Sequence, residues 1–182
     1  MTPEKVEVVP YDPQWPGLFS SLGARFREAL GDVALRIDHI GSTSVEGLAA
    51  KPVIDVQISV AAFQSTEPFR LPLEGLGFTF RSDNPELTKR YFREAPGTRR
   101  TNIHVRRAGS WAEQFALLFR DYMRTHVEDA ARYARLKRRL AEQFGYDRSG
   151  YTDAKGPFIW EVQYRADRWS QEVGWEPGPS DA

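Results

Sequence analysis

Asp55 interrupts an otherwise apolar run, Val53-Ile54-Asp55-Val56-Gln57-Ile58, in which every neighbour belongs to a β-strand. An ionised aspartate on a covered sheet face is costly unless it is paired or binds a cation. Gln57 lies two residues on and shares its face. Together they offer oxygen ligands of the kind magnesium takes; the alternative is a solvated face on a half-exposed strand. Gly41-Ser42 stands at the end of another alternating run. Glycine lets the backbone come close to a ligand. Successive N–H groups of such a turn, with the Ser42 hydroxyl, can cradle a phosphate. The same pair also suits a plain strand-to-loop turn. Asn102 and His104 share one face of Asn102-Ile103-His104-Val105. Should that strand lie beside Asp55, His104 would serve as a ligand or a proton carrier. His104 and His39 fit equally well as hydrogen-bonded structural groups, and His126 reads as a surface residue.

The chain carries 25 Lys and Arg against 25 Asp and Glu. Such a balance disfavours non-specific duplex binding, which rests on phosphate neutralisation. Locally the balance fails: Arg81, Lys89, Arg90, Arg93, Arg99, Arg100, Arg106 and Arg107 face only Asp83, Glu86 and Glu94. A basic stretch in a neutral protein suits a small anionic ligand; a merely solvated strand face is the alternative. With no cysteine, disulfides and thiolate metal sites are excluded. The chain has no G-x-S-x-G elbow. It also lacks G-x-x-x-x-G-K-[ST], G-x-G-x-x-G and H-E-x-x-H.

The elements that must position these residues follow from periodicity. Val6-Glu7-Val8-Val9 alternates as a short strand. Asp12-Pro13 has the form of a helix N-cap with proline at the first helical position. Trp15, Leu18, Leu22 and Phe26 then mark an amphipathic helix over about 13–30, stopped by Gly31. Strands are expected over 34–40 and 53–60. Pro68 and Pro72 break the next stretch, leaving a short helix before Phe78-Thr79-Phe80. Residues 82–89 read as a loop, and Tyr91-Phe92-Arg93 and Asn102–Val105 as strands about a Gly97 turn. From about residue 110 the pattern is helical. Ser110 and Glu113 form a capping box, and apolar stripes run through Trp111–Tyr122, Tyr133–Phe144 and Phe158–Trp169. Residues 174–182 are expected to fray. This order gives an α+β fold, a mixed β-sheet flanked by helices with a helical C-terminal half.

At 182 residues, 41% apolar and 27% charged, the chain reads as one soluble domain spanning 1–182. The start, Thr2-Pro3-Glu4-Lys5, lacks the apolar run of a signal peptide. No stretch approaches a membrane span, so a cytoplasmic location is expected.

Asp38-His39-Ile40-Gly41-Ser42-Thr43-Ser44-Val45, with Gly47-Leu48-Ala49-Ala50-Lys51-Pro52-Val53-Ile54-Asp55, resembles the signature of the GrpB family, also called UPF0157. Val9-Pro10-Tyr11-Asp12-Pro13-Gln14-Trp15 is similar to that family's start. Phe119–Arg124, Tyr133–Lys137 and Tyr151–Lys155 are similar to its later blocks. The resemblance covers about 6–167. It implies a nucleotidyltransferase-like fold in which Gly41 and Ser42 hold phosphate and Asp55 holds a metal, with related domains fused to dephospho-CoA kinase. The superfamily pattern has a second acid where this chain has Gln57, and a third where it has Asn102 or His104. Two-metal phosphoryl transfer relies on several carboxylates, so one Mg2+ ion is the expectation, held by Asp55, Gln57 and His104.

The resulting expectation is a protein that binds a nucleotide or phosphorylated small molecule, with Asp55 and His104 as the candidate catalytic residues. Lys51, Arg90, Arg93, Arg100 and Lys155 join Gly41 and Ser42 as candidate phosphate contacts, since Arg and Lys supply charge-assisted bonds. In-line attack on an α-phosphate is the implied reaction. A catalytically degenerate phosphate-binding or accessory module of the same fold is the alternative, and a purely structural interaction domain is a third class.

Overall fold

The computed structural model describes residues 5–182. Most of the segment read above for a leader, Thr2-Pro3-Glu4, lies outside them. Helix α1, Trp15–Leu30, leads through a short 3-10 turn, Gly31–Val33, into strand β1, Arg36–Ile40. A second such turn, Ser42–Ser44, carries the chain toward β2, Ile54–Val60. Helix α2 (Glu67–Gly75) and strands β3 (Phe78–Phe80), β4 (Lys89–Glu94) and β5 (Thr101–Arg107) follow. Four helices complete the chain: α3 (Trp111–Thr125), α4 (Val127–Phe144), α5 (Arg148–Ala154) and α6 (Gly156–Val173).

The sheet runs β1-β2-β5-β4-β3. Only β2 and β5 are parallel; the other neighbours are antiparallel. The α+β expectation therefore holds, mixed sheet and helical second half included. One sheet face packs Ile37, Ile54, Val56, Ile58, Phe92, Ile103 and Val105 against Trp15, Phe19 and Phe26 of α1 and Phe69 and Leu73 of α2. A second apolar cluster joins Leu118 and Tyr122 of α3, Tyr133 of α4 and Val162 of α6 to Val45 and Leu48 after β1. The helical half thus closes over the opposite sheet face, where the polar residues of β2 and β5 stand.

Three local expectations are corrected. Val6–Val9 is not a strand: its one bridge is Val9 to Ala50, while Val6 N–H donates to Gly145. The segment divides its hydrogen bonds between two partners, and Pro10, lacking an N–H, cannot extend a ladder. Helix α1 starts at Trp15 with Gln14 as its N-cap. Asp12 instead shapes the turn before it, accepting from Gln14 N–H at 2.9 Å.

The third correction is the C-terminal segment, which docks along β1. Ser180 Oγ accepts from Ile37 N–H at 2.8 Å, and Ala182 N–H donates to the Ile37 carbonyl at 3.1 Å. Asp181 accepts from His39 N–H and from buried Arg120, both at 2.9 Å. The tail supplies partners to an edge strand that would otherwise expose them. A polar, glycine- and proline-rich composition gives no hint of such partners. The Ser110 cap is present, accepting from Glu113 N–H at 3.3 Å. Glu113 reaches back to Gly109 N–H, one residue further than in a capping box.

Candidate functional site

The β2–β5 register sets Asp55 beside Asn102 and Gln57 beside His104, and β4 adds Tyr91 opposite His104 and Arg93 opposite Asn102. Asn102 Nδ2 donates to Asp55 Oδ1 at 2.7 Å, and His104 Nε2 lies 3.5 Å from the same oxygen. Tyr91 O–H donates to Asn102 Oδ1 at 2.7 Å. That bond fixes the amide so that its nitrogen faces Asp55. Burial alone would raise the Asp55 pKa; hydrogen bonds from His104 and Asn102 and the charge of Lys155 outweigh it and hold the carboxyl below its ordinary value. Burial lowers His104, and Asp55 restores only part of that shift. The pair thus favours an ionised Asp55, with His104 Nε2 the ring nitrogen that meets it.

Gly41 follows directly from the β1 residue paired with Asp55. Its φ of +70° favours glycine, and a Cβ there would stand 2.8 Å from Asp55 Oδ2. Both backbone and space thus require glycine at this position. The turn is fastened from several sides. Ser44 Oγ donates to the Gly41 carbonyl at 2.6 Å, and Arg124 Nε donates to the Ser44 carbonyl at 3.0 Å. Thr43 O–H donates to the Val53 carbonyl at 3.1 Å, so its oxygen accepts from His39 Nε2, 3.0 Å away. His39 is buried, which pushes its pKa down to about 4 and keeps it neutral. It supports the turn structurally.

A cleft of about 390 Å³ opens beside this turn, and Asp55 is the only carboxylate among its lining residues. The structure brings Ser42, Lys51, Arg93, Arg100, His104 and Lys155 to it. Gly41 stands behind Asp55 and does not line the cleft itself, and two further candidates fall outside it. Gln57 is fully buried beneath α3, its Nε2 directed at the Glu113 carbonyl 3.3 Å away. The capping turn that starts α3 covers it, so sharing a strand face with Asp55 does not bring it into the cleft. Arg90 points to the other side of β4, stacked 4.4 Å over the Phe63 ring. It is one residue out of phase with Tyr91, and strand alternation sends it away.

Sequence reasoning did not single out Tyr91, Lys137, Arg148 and Tyr151 for the site, all of which line the cleft. Lys137 is the most telling. It is 2% exposed, and its Nζ has no hydrogen-bond partner. It lies 4.5 Å from the Tyr133 ring centroid. Burial, with Lys155 and Arg138 adding repulsion, pushes its pKa down to about 7. Lys51 and Lys155 flank Tyr151 at 5.2 and 4.6 Å. Burial also lowers both, Lys51 to about 8. The signal was present in the sequence: Lys137 stands four residues after Tyr133 and three before Leu140, on the apolar stripe of α4.

A single lining carboxylate, Asp55, falls short of the several that a pair of divalent ions needs. Asp55 would supply the charge for one ion, with His104 next to it; the Asn102 carbonyl is turned to Tyr91, and its amide nitrogen faces Asp55. The His104 ring would have to carry its proton on Nδ1 to act as a ligand. Among the described residues no group of three or more His, Cys, Asp or Glu side chains is placed to hold a metal.

The GrpB protein family model matches residues 5–165. The chain belongs to the GrpB family. A UPF0157 protein of Halalkalibacterium halodurans is 37% identical over 161 residues, covering 88% of this chain and 82% of its own. A protein named dephospho-CoA kinase from Mycolicibacterium paratuberculosis is 32% identical, covering 94% of this chain but 48% of its own length. The GrpB structure from Enterococcus faecalis superposes with a TM-score of 0.80 at 29% identity, covering 90% of this chain and 99% of that one. The Cid1 poly(U) polymerase, in a structure titled as bound to MgGTP, shares the fold at a TM-score of 0.52 and 14% identity, over 74% of this chain and 44% of that one. This GrpB member therefore has a nucleotidyltransferase-like fold. Among its described residues, no helix is long and apolar enough to cross a membrane.

Proposed function

We propose that this GrpB member binds the phosphate groups of a nucleotide or phosphorylated small molecule in the cleft between the Gly41-Ser42 turn and helices α4 and α5. The observation that carries the reading is the composition of that cleft. One ionised carboxylate abuts a glycine turn, and the desolvated ammonium groups of Lys51, Lys137 and Lys155 face the same space. Buried cations call for an anion, and a glycine turn beside a carboxylate suits a phosphate approached by a cation. Asp55 would hold one Mg2+ ion, with His104 next to it. The ion, when bound, would polarise a phosphoryl oxygen and offset charge as the bond to the leaving group breaks. The chain's own groups do the rest. Tyr91 fixes Asn102, and Asn102 and His104 fix Asp55. Ser42 and the turn backbone would orient the phosphate. The lysines would hold its remaining oxygens.

Transfer of a nucleotidyl group is the fuller form of this reading. A phosphate-binding module without turnover is the second, and the position of Gln57 beneath α3 favours it, since the cleft then lacks a second acid. The reading also takes the chain as one domain that acts on a dissolved ligand. Calorimetry with ATP, GTP, UTP and CTP in Mg2+ tests it. Binding that weakens in Asp55→Ala is expected; the absence of binding at millimolar nucleotide overturns it. Nucleotidylated product from a set of small acceptors separates transferase from module.

A further inference from the structure

The cleft is short of acids and rich in buried amines, and the two facts fit one another. Gln57, two residues on from Asp55 along β2, is no acid and is sealed off under the Glu113 carbonyl. Lys137 lies in the same cleft as Asp55 and Ser42, almost without exposure and without a hydrogen bond for its Nζ. A neutral methionine would fill that space with no desolvation cost, so the structure gives the amine no packing reason to be there. We propose that the Lys137 ammonium takes the charge-neutralising place of a second metal ion, so that the cleft grips the polyphosphate arm of its ligand through buried lysines without needing a divalent cation. This rests on the phosphate-binding reading above and specifies how the phosphates are held.

The surroundings agree. The groups facing Lys137 are the Tyr133 ring and Arg138 from its own helix, Tyr151 from α5, Lys155 at the α5–α6 junction, and Lys51, Arg100, Arg148 and Asp55 across the cleft. Cations dominate. Without an anion, burial disfavours the charged amines and the neighbouring cations add to it, so Lys137 falls to about 7 and Lys51 to about 8. A polyanion reverses both effects. It supplies charge-assisted hydrogen bonds and draws protons onto amines that had lost them. A metal ion at Asp55 then serves chemistry at one phosphate and is not needed for grip.

Inorganic tripolyphosphate is the probe, because it carries the arm and nothing else. Its binding is measured by calorimetry at about pH 8, with EDTA and with Mg2+, in two buffers of different ionisation heat. The expected result is an affinity in EDTA within about threefold of that in Mg2+, with net proton uptake. Lys137→Met should lose about tenfold or more of that affinity, as removal of one charge-assisted contact implies. Its proton uptake should fall, and its melting temperature without ligand should be unchanged or higher. Binding only with Mg2+, or a Lys137→Met affinity equal to wild type, overturns the inference. So does a Lys137→Met protein that fails to fold while Lys137→Gln binds as wild type. If Mg2+-nucleotide still binds in an Asp55-dependent way, the phosphate reading survives that failure. If neither probe binds, both fall.

Discussion

Two sets of cations border the cleft, and they differ in what they touch. The arginines of β4 and the following loop are already paired. Arg93 Nη2 lies 2.7 Å from Glu94 and Arg100 Nε 3.1 Å from the same carboxylate; on β5, away from the cleft lining, Arg106 is likewise paired, 2.9 Å from Glu86. Several cations of the basic stretch that stands out in the sequence thus share its own few acids. The lysines come from the loop before β2 and from the helical half. Lys51, Lys137 and Lys155 contact tyrosine rings, and the carboxylate that acts on Lys51 and Lys155 is Asp55 across the cleft. A guanidinium pairs well with a carboxylate fork, whereas a compact ammonium loses its proton when desolvated. Cation density along the sequence therefore points to the wrong group; the cost borne by each cation points to the right one.

Removing both helical lysines should break the comparison most completely. Lys137→Met with Lys155→Met is expected to weaken tripolyphosphate binding by about a hundredfold or more, two charge-assisted contacts at ~1.5–3 kcal/mol each. A titration in EDTA checks this, and a loss under about tenfold would return the grip to the arginines.

The next effect is on stability. His39 shows the same desolvation with a hydrogen bond in place of a ligand. Its folded pKa of about 4 lies below its unfolded value of about 6.5. Its neutral form therefore contributes stability that is fully present above about pH 6.5 and is lost as pH falls toward 4. The whole contribution is about 3 kcal/mol. Denaturant unfolding at about pH 7 and pH 4 should show this loss in wild type and a smaller one in His39→Gln. Equal losses would mean that other groups carry the acid sensitivity.

Gly41→Ala ranks third. Its Cβ would meet Asp55 Oδ2 at 2.8 Å, and its φ of +70° adds strain, ~1–3 kcal/mol in all. Loss of ligand affinity with a lowered melting temperature is expected. Unchanged affinity would remove the turn from the site.

Glu94→Gln should do least to binding. It frees Arg93 and Arg100 to meet an anion, yet the pairs are part-exposed and worth about 1 kcal/mol or less. A small loss of stability, with tripolyphosphate affinity changed by less than about twofold, is expected in calorimetry. A large gain would show that the arginines compete for the same ligand.

Much of this arrangement was legible beforehand, for physical reasons. Periodicity locates β1, β2, β5 and helices α1, α3, α4 and α6 because each buries one face, whereas the short α5 carries no such stripe. Asp55 stood out because an acid inside an apolar strand needs a partner, and Asn102 and His104 were read onto one face by simple alternation. The misreadings share a cause too. Gln57 was grouped with Asp55 because both lie on one strand face. Helix α3 covers one and leaves the other open, and nothing local encodes where a distant helix lands. Arg90 was grouped by charge although its phase on β4 sends it to Phe63. The tail read as frayed because its hydrogen bonds go to Ile37, His39 and Arg120, all more than 60 residues away. Lys137 hides within a helical stripe, yet a lysine on an apolar stripe is the same anomaly as an aspartate in an apolar strand.

The most direct test sets one member of each cation group against the other. Tripolyphosphate is titrated calorimetrically, in EDTA, into wild type, Lys137→Met and Arg93→Met. The account predicts a loss of about tenfold or more in Lys137→Met and near-wild-type affinity in Arg93→Met. Equal losses in the two variants, or a loss confined to Arg93→Met, would contradict it.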